Sequence, residues 1–322
     1  MRIRTLSVIV LAGWFGGGAA AQDARSVLDG LARTLGAVAS IQYSGIGYVY
    51  GFGQSYQPGG PWVKFNLKSY TFAADYERQA SREEQVRTYL DPPERGGTAV
   101  FIGELRQVAL LSGDVAWNAA PDGGAAPQPL AVDARQLQLP ISPHGFVKAA
   151  MGAAPTVAAR TVNGRRFTVV SFMWKGKYRI NGYINDQNLL EKVETWMPDP
   201  LLGDLLVENL FSNYRDVAGI KFPGRIVQTQ GGFPVLDVTI ADVRTNAVAA
   251  IEVPEAARRP VPPVSRVEAV KVADGVWLLV APIGPNSVVV EFRDYVAVVE
   301  APFSDERSLA VIAETKKLVP AK

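Results

Sequence analysis

Between Ile41 and Phe52, and on into Gly53, the chain alternates with a period of two. Ile46, Tyr48, Tyr50 and Phe52 share one face of an extended strand, and Gly45, Gly47, Val49, Gly51 and Gly53 share the other. Rings on one face and glycines opposite suit a strand that a second layer approaches closely. Burying one such ring is worth roughly 1.5–3 kcal/mol. Core packing is therefore the first reading of the aromatic face, and lining of a ligand cavity the second.

The same short-range pattern recurs along most of the chain. Val63–Asp75 and Glu84–Leu90 read as strands. Phe101-Ile102, Gln107–Leu111 and Val115–Asn118 follow as short ones. After a helical interval come Arg166–Trp174, Tyr178–Asn185, Leu189–Trp196, Val207–Arg215, Ile220–Gln230 and Val235–Arg244, separated by Gly-, Asn- and Pro-containing turns. Strands in succession with short turns form an antiparallel meander. Helices are expected at Asp23–Ala39, where Val27, Leu28, Leu31, Leu35 and Val38 recur at helical spacing, weakly at Asp133–Leu139, and from Ser142-Pro143 to about Ala150. The run Asn213–Asn246 resembles the late strands of lipoprotein-carrier-like half-barrels, in which helices cover one side of a curved antiparallel sheet.

The tail has its own pattern. Val276–Val280, Ser287–Phe292 and Tyr295–Glu300 read as strands, and a helix capped by Ser304 follows, with Asp305 and Glu306 at its start and Lys316 and Lys317 at its end. Asp274-Gly275-Val276-Trp277, Asn286–Glu291, Val296–Pro302, Glu306-Arg307-Ser308 and Leu318-Val319-Pro320 resemble the opening of the metallo-β-lactamase-fold hydrolases. In that family a metal-binding H-x-H-x-D-H comes after the next strand, beyond Lys322. The resemblance implies the front part of a secreted metal-dependent hydrolase, truncated before its ligands, with zinc expected only if the missing part were present.

The residues themselves offer little chemistry. The chain has one histidine, His144, in the first turn of the helix after Ser142, where a surface or capping role is expected. A catalytic zinc commonly takes three protein ligands, often histidines. There is no cysteine, hence neither disulfide nor thiol nucleophile. The carboxylate candidates are Asp199 with Asp204, Glu83 with Glu84, and Glu291 with Glu300. Solvated turn residues are the plain reading of the first pair, and no P-loop, G-x-S-x-G or S-x-x-K pattern is present. No residue is assigned as catalytic, cofactor-binding or metal-ligating, and the chain is expected to be inactive alone.

Met1–Ala21 has the basic start, apolar core and small-residue end of a secretory signal, which places the chain in the periplasm or outside the cell. Its removal takes two of 33 basic residues and leaves 31 against 31 acidic ones. A near-neutral chain has no electrostatic case for nucleic acid. No integral membrane span is expected after signal removal, and the oligomeric state is left open. Arg258–Ser265, RRPVPPVS, reads as a linker. The expected fold is α+β: a large antiparallel meander or half-barrel with a few covering helices over 22–257, then an incomplete αββα segment over 266–322. The alternative function is a periplasmic β-sheet module that binds or carries an apolar ligand.

Overall fold

The computed structural model describes residues 17–93, 101–199, 202–259, 261, 265–282, 284–300 and 304–322, with side chains from residue 23 onward. Helix α1 (Gly17–Leu35) leads into β1 (Ser40–Ser55), β2 (Trp62–Asp75), β3 (Ala80–Tyr89), β4 (Leu105–Ser112), β5 (Val115–Ala119) and β6 (Ala125–Pro127). Helices α2 (Val132–Gln138) and α3 (Pro143–Met151) follow. Then come β7 (Thr156–Val162), β8 (Arg165–Trp174), β9 (Tyr178–Ile184), β10 (Leu190–Asp199), β11 (Gly203–Ser212), β12 (Arg215–Val217), β13 (Ile220–Phe222), β14 (Arg225–Gln230) and β15 (Phe233–Thr245). A 3-10 turn at Glu255–Arg258 precedes β16 (Glu268–Ala273), β17 (Val276–Val280), β18 (Ser287–Glu291), β19 (Val296–Val299) and α4 (Asp305–Leu318).

Among the described residues the chain is mostly β. One antiparallel sheet has thirteen strands in the order β6-β5-β4-β3-β2-β1-β15-β14-β11-β10-β9-β8-β7. The first strand pairs with the last of the meander, so β1 and β15 lie side by side near the middle. The small pair β12-β13 and the sheet β16-β17-β18-β19 complete the strands. The expected signal at Met1–Ala21 lies largely outside the described residues, and α1 runs across its expected cleavage point. Among the described residues no helix is long and apolar enough to cross a membrane.

Two expected strands are each broken in two, for local reasons. Val207–Arg215 divides at Asn213, whose φ is 56°. Ile220–Gln230 divides at Pro223-Gly224, because proline cannot donate to a ladder. Phe101-Ile102 is not a strand. Helix α1 stops at Gly36, where φ is 81° and the amide reaches the Ala32 carbonyl at 2.9 Å.

The period-two pattern of β1 holds from Ile41 to Tyr50 and is lost where the register against β2 breaks before Ser55, but its faces are opposite to expectation. Ile41, Tyr43 and Val49 point into the core, whereas Ile46 is 61% exposed, Tyr48 36% and Phe52 37%. The aromatic face is thus the outer one, where Phe52 packs edge-on against Trp62, which stacks on Phe233 at 4.9 Å. The glycines serve the neighbouring strand rather than another layer. A Cβ on Gly47 would lie 1.9 Å from the Asp237 carbonyl oxygen, and one on Gly45 2.1 Å from that of Thr239.

One continuous core joins α1 (Leu28, Leu31, Leu35), α3 (Phe146, Val147) and inner-face residues from β1 to β15. The Phe146 ring lies directly on Gly182 of β9, where a Cβ would meet the ring at 2.2 Å. The tail sheet and α4 have a separate core of three fully buried residues, Leu279, Val289 and Val311.

Two outcomes follow from this packing. Gly182→Ala forces Phe146 to move and is expected to cost about 1–3 kcal/mol, read as a lower urea midpoint at unchanged m-value; an unchanged midpoint would contradict the contact. Amides of β16 to β19 should exchange hydrogen well before those of β1 and β2, because so small a core gives little resistance to local opening. Equal protection in the two sheets would refute that.

Candidate functional site

The inner face of β3 can be read from its register. Glu83 stands opposite Phe72, Gln85 opposite Tyr70, Arg87 opposite Leu67 and Tyr89 opposite Phe65. Those four partners belong to the core, so Glu83, Gln85, Arg87 and Tyr89 all point inward. A register shift between Leu67 and Ser69 keeps Leu67 and Tyr70 on the same face although they are three residues apart. Of this row the sequence offers Glu83 as a carboxylate candidate but does not single out Gln85, Arg87 or Tyr89, because β3 carries charged residues on both faces and so has no apolar alternation to read.

Two of these inward groups, Glu83 and Gln85, have identifiable hydrogen-bond partners. The Tyr70 hydroxyl donates to the Glu83 carboxylate, and Arg135 of α2 adds a nearby positive charge. Burial nevertheless raises the Glu83 carboxyl above its usual range, and burial followed by the Glu83 charge raises the Tyr70 hydroxyl well above its own. Arg135 donates to the carbonyls of Leu110 at 2.9 Å and Trp117 at 2.6 Å, and to Asn118 Oδ1 at 2.6 Å. Gln85 reaches Gln107 at 3.4 Å.

The inner face changes character along the strands. At one end Tyr43, Phe72, Ile240 and Val243 are buried. Towards the end where the β1–β2, β10–β11 and β14–β15 hairpins turn, Tyr89, Phe101, Met197 and Leu236 pack on the core yet remain half-buried. Tyr89 and Phe101 stack at 4.5 Å, and both lie beside Phe65. This is an apolar surface with access to solvent. The outer face offers instead a cleft of about 410 Å³ lined in part by Tyr183, Lys192 and Glu208. Its lysine is taken up by Glu194 at 2.7 Å and Glu208 at 2.9 Å.

The carboxylate pairs chosen from the sequence are not brought together as working pairs. Glu83 and Glu84 are adjacent and so face opposite ways, Glu84 outward to Arg82 and Arg106. Asp199 accepts from the Leu202 amide at 2.8 Å in the β10–β11 turn, opposite Gly203, and Asp204 is opposite Pro198 on the alternate face. Glu291 pairs with Lys322 at 2.9 Å, and Glu300, at φ 73°, ends the strand away from it. Among the described residues no three His, Asp or Glu side chains converge as a metal site would require.

His144 is a core residue, not the surface or capping residue expected. It is 4% exposed, its ring stacks over Phe222, and Nε2 donates to the Leu35 carbonyl at 3.2 Å. Its Nδ1 is buried without a partner among the described residues. The register of α3 against α1 puts it there, which a 3.6 period alone does not specify. Burial, with Lys148 nearby, lowers its pKa to about 4 despite the bond to Leu35. Ser142 likewise does not cap α3; its hydroxyl donates to the Leu139 carbonyl at 2.7 Å.

No family model matches the chain, and no curated protein does. Fourteen solved chains match. One is a LolA-superfamily protein from Nitrosomonas europaea, 14% identical, with a TM-score of 0.42, covering 70% of this chain and 94% of its own. A second is a putative outer membrane lipoprotein-sorting protein domain from Vibrio parahaemolyticus, 11% identical at 0.41, covering 71% and 95%. A third is a DUF1329-family protein from Desulfovibrio piger, 11% identical at 0.36, covering 73% and 95%.

The reading of the chain as the front of a metallo-β-lactamase-fold hydrolase is corrected by these findings: no family model of that kind and no curated hydrolase matches the chain. The residues that carried it have local duties. Gly275 supplies φ 71° in the β16–β17 turn, and Asn286 accepts from the Ala281 amide at 2.9 Å. Ser287 donates to the Glu300 carbonyl at 3.0 Å. Ser304 caps α4 through the Arg307 amide, and the Arg307 guanidinium ties α4 to the Arg266 carbonyl. Any four-stranded meander leading into a capped helix asks for the same residue types at similar spacing.

The buried histidine sets a pH dependence. A base whose folded pKa lies below its unfolded value near 6.5 gives full stability above that value and loses it as pH falls towards the folded value. About 2–3 kcal/mol should therefore disappear between pH 6.5 and 4.5 in urea titrations. His144→Leu should flatten that interval, whatever its stability at pH 7. A slope unchanged in the variant would show that other groups cause it.

Proposed function

We propose that this chain is a binding module for an apolar ligand, held on the inner face of the large sheet beside Tyr89, Phe101, Met197 and Leu236. The observation that carries this reading is the gradient of burial along one face. Where α1 and α3 lie, the face is filled to the packing of an ordinary core. Towards the hairpin end it stays apolar but only half-covered. Large apolar side chains left part-covered on a concave surface are what a ligand pocket consists of.

Curvature supports the reading. Thirteen strands at about 4.8 Å would span roughly 58 Å if flat, and open sheets of that size curl. In this chain α2 is held from both sides. Its Gln136 donates to the Gly113 carbonyl and Asp114 in the β4–β5 turn and accepts from Lys175 in the β8–β9 turn. Strands near opposite edges of the sheet thus meet on one side chain, which supports a half-barrel closed around its helices. The proposal is of the same kind as the lipoprotein sorting in one similar structure's name, but it rests on this chain's inner face alone.

We further propose that Met1–Ala21 directs secretion to the periplasm or beyond and that 22–257 and 266–322 are separate domains joined by Arg258–Ser265. In this arrangement the 22–257 part carries the ligand.

An environment-sensitive apolar fluorophore should bind the purified protein and be displaced by long-chain lipids. Leu236→Glu places a charge on the half-covered face and should weaken that binding at least tenfold while the melting temperature changes little. Absence of fluorophore or lipid binding to the folded protein would remove the reading.

A further inference from the structure

We infer that the ligand of this inner face carries an oxyanion head group, and that the Arg87 guanidinium is its anchor. The inference rests on the apolar-ligand reading and narrows it to acidic amphiphiles.

Arg87 points into the site from β3, between Leu67 of β2 and Leu105 of β4. Its guanidinium lies 5.5 Å over the Phe65 ring and 6.0 Å over that of Phe101. The Nε atom is buried and has no hydrogen-bond partner among the described residues. No carboxylate among them pairs with it. The inward carboxylate on the same strand, Glu83, is four residues away, about 13 Å at strand spacing. That carboxylate is already engaged by Tyr70 and faces Arg135. The two inward arginines differ: Arg135 spends its N–H groups on two carbonyls and Asn118, whereas Arg87 lies over the rings of Phe65 and Phe101 with the Tyr89 side chain nearby.

Arg87 is half-buried, and withdrawing part of a cation from water without a counter-charge is costly; that burial pulls its pKa down. Stacking on rings satisfies the faces of a guanidinium but leaves its N–H edge to be met by an acceptor. A planar fork of donors fits two oxygens of one carboxylate or phosphate. The rings that hold the fork, Phe65 and Phe101, are continuous through Tyr89 with the apolar surface. A ligand with its head on Arg87 would therefore lay its chain along that surface.

The test compares oleate, oleyl phosphate and oleyl alcohol by displacement of the bound fluorophore, at a lipid concentration below micelle formation. The wild-type protein should prefer at least one of the two acids over the alcohol by about tenfold or more, and which acid is favoured identifies the head group. Arg87→Gln keeps a planar polar group without the charge. It should bring the acids to the affinity of the alcohol and leave the alcohol's own affinity within about twofold. Equal binding of all three by the wild-type protein, or a preference that survives Arg87→Gln, would overturn the anchor while leaving the apolar site standing. Binding of none of them would overturn both. Should Arg87→Gln fold poorly, Arg87→Met takes its place with the same expected outcomes, and equal binding of the three lipids by the wild-type protein would still overturn the anchor.

Discussion

The structure depends on the hold that α2 has on both sides of the large sheet. Arg135 and Gln136 grip the β4–β5 hairpin, while Asp133 and Gln136 take Lys177, Tyr178 and Lys175 from the β8–β9 hairpin. A seven-residue helix has little stability of its own. Here it is fixed by charge-assisted hydrogen bonds at several points, and in turn it fixes how far the sheet can open. Everything on the inner face, including the half-covered apolar end, lies within the curve that this clasp sets.

Within that curve most inward polar groups have partners. Glu83, Tyr70, Arg135 and Asn118 form a linked set across β2, β3, α2 and β5. His144 is tolerated because Leu35 offers a carbonyl at the end of α1 and because the ring stays neutral. Arg87 stands apart from both arrangements, and the absence of an internal partner among the described residues is what gives it significance. A side chain kept against its desolvation cost points to a partner that arrives from outside.

The tail illustrates how a sequence pattern can be locally right and still misattributed. Its three strands from Val276 onward and its capped helix lie where the spacing puts them, and a fourth strand, β16, precedes them. What the pattern could not carry was ancestry, because turn glycines, an Asx contact and a serine cap are demanded by any chain that reverses and then starts a helix. The residues answer to backbone geometry first.

Period-two alternation, turn residues and caps are properties of a few consecutive residues, so the sequence by itself determined the meander, most strand limits and the three main helical intervals. It also determined that β1 has two unlike faces. Which face of β1 turns inward, whether His144 is wet or buried, and which of Glu83 and Glu84 enters the core were decided only by tertiary structure. Each depends on a contact between residues far apart in the chain: β1 on β15, α3 on α1, β3 on β2. The half-covered apolar end has the same origin, since it brings together Tyr89, Phe101, Met197 and Leu236 from parts of the chain far apart in sequence.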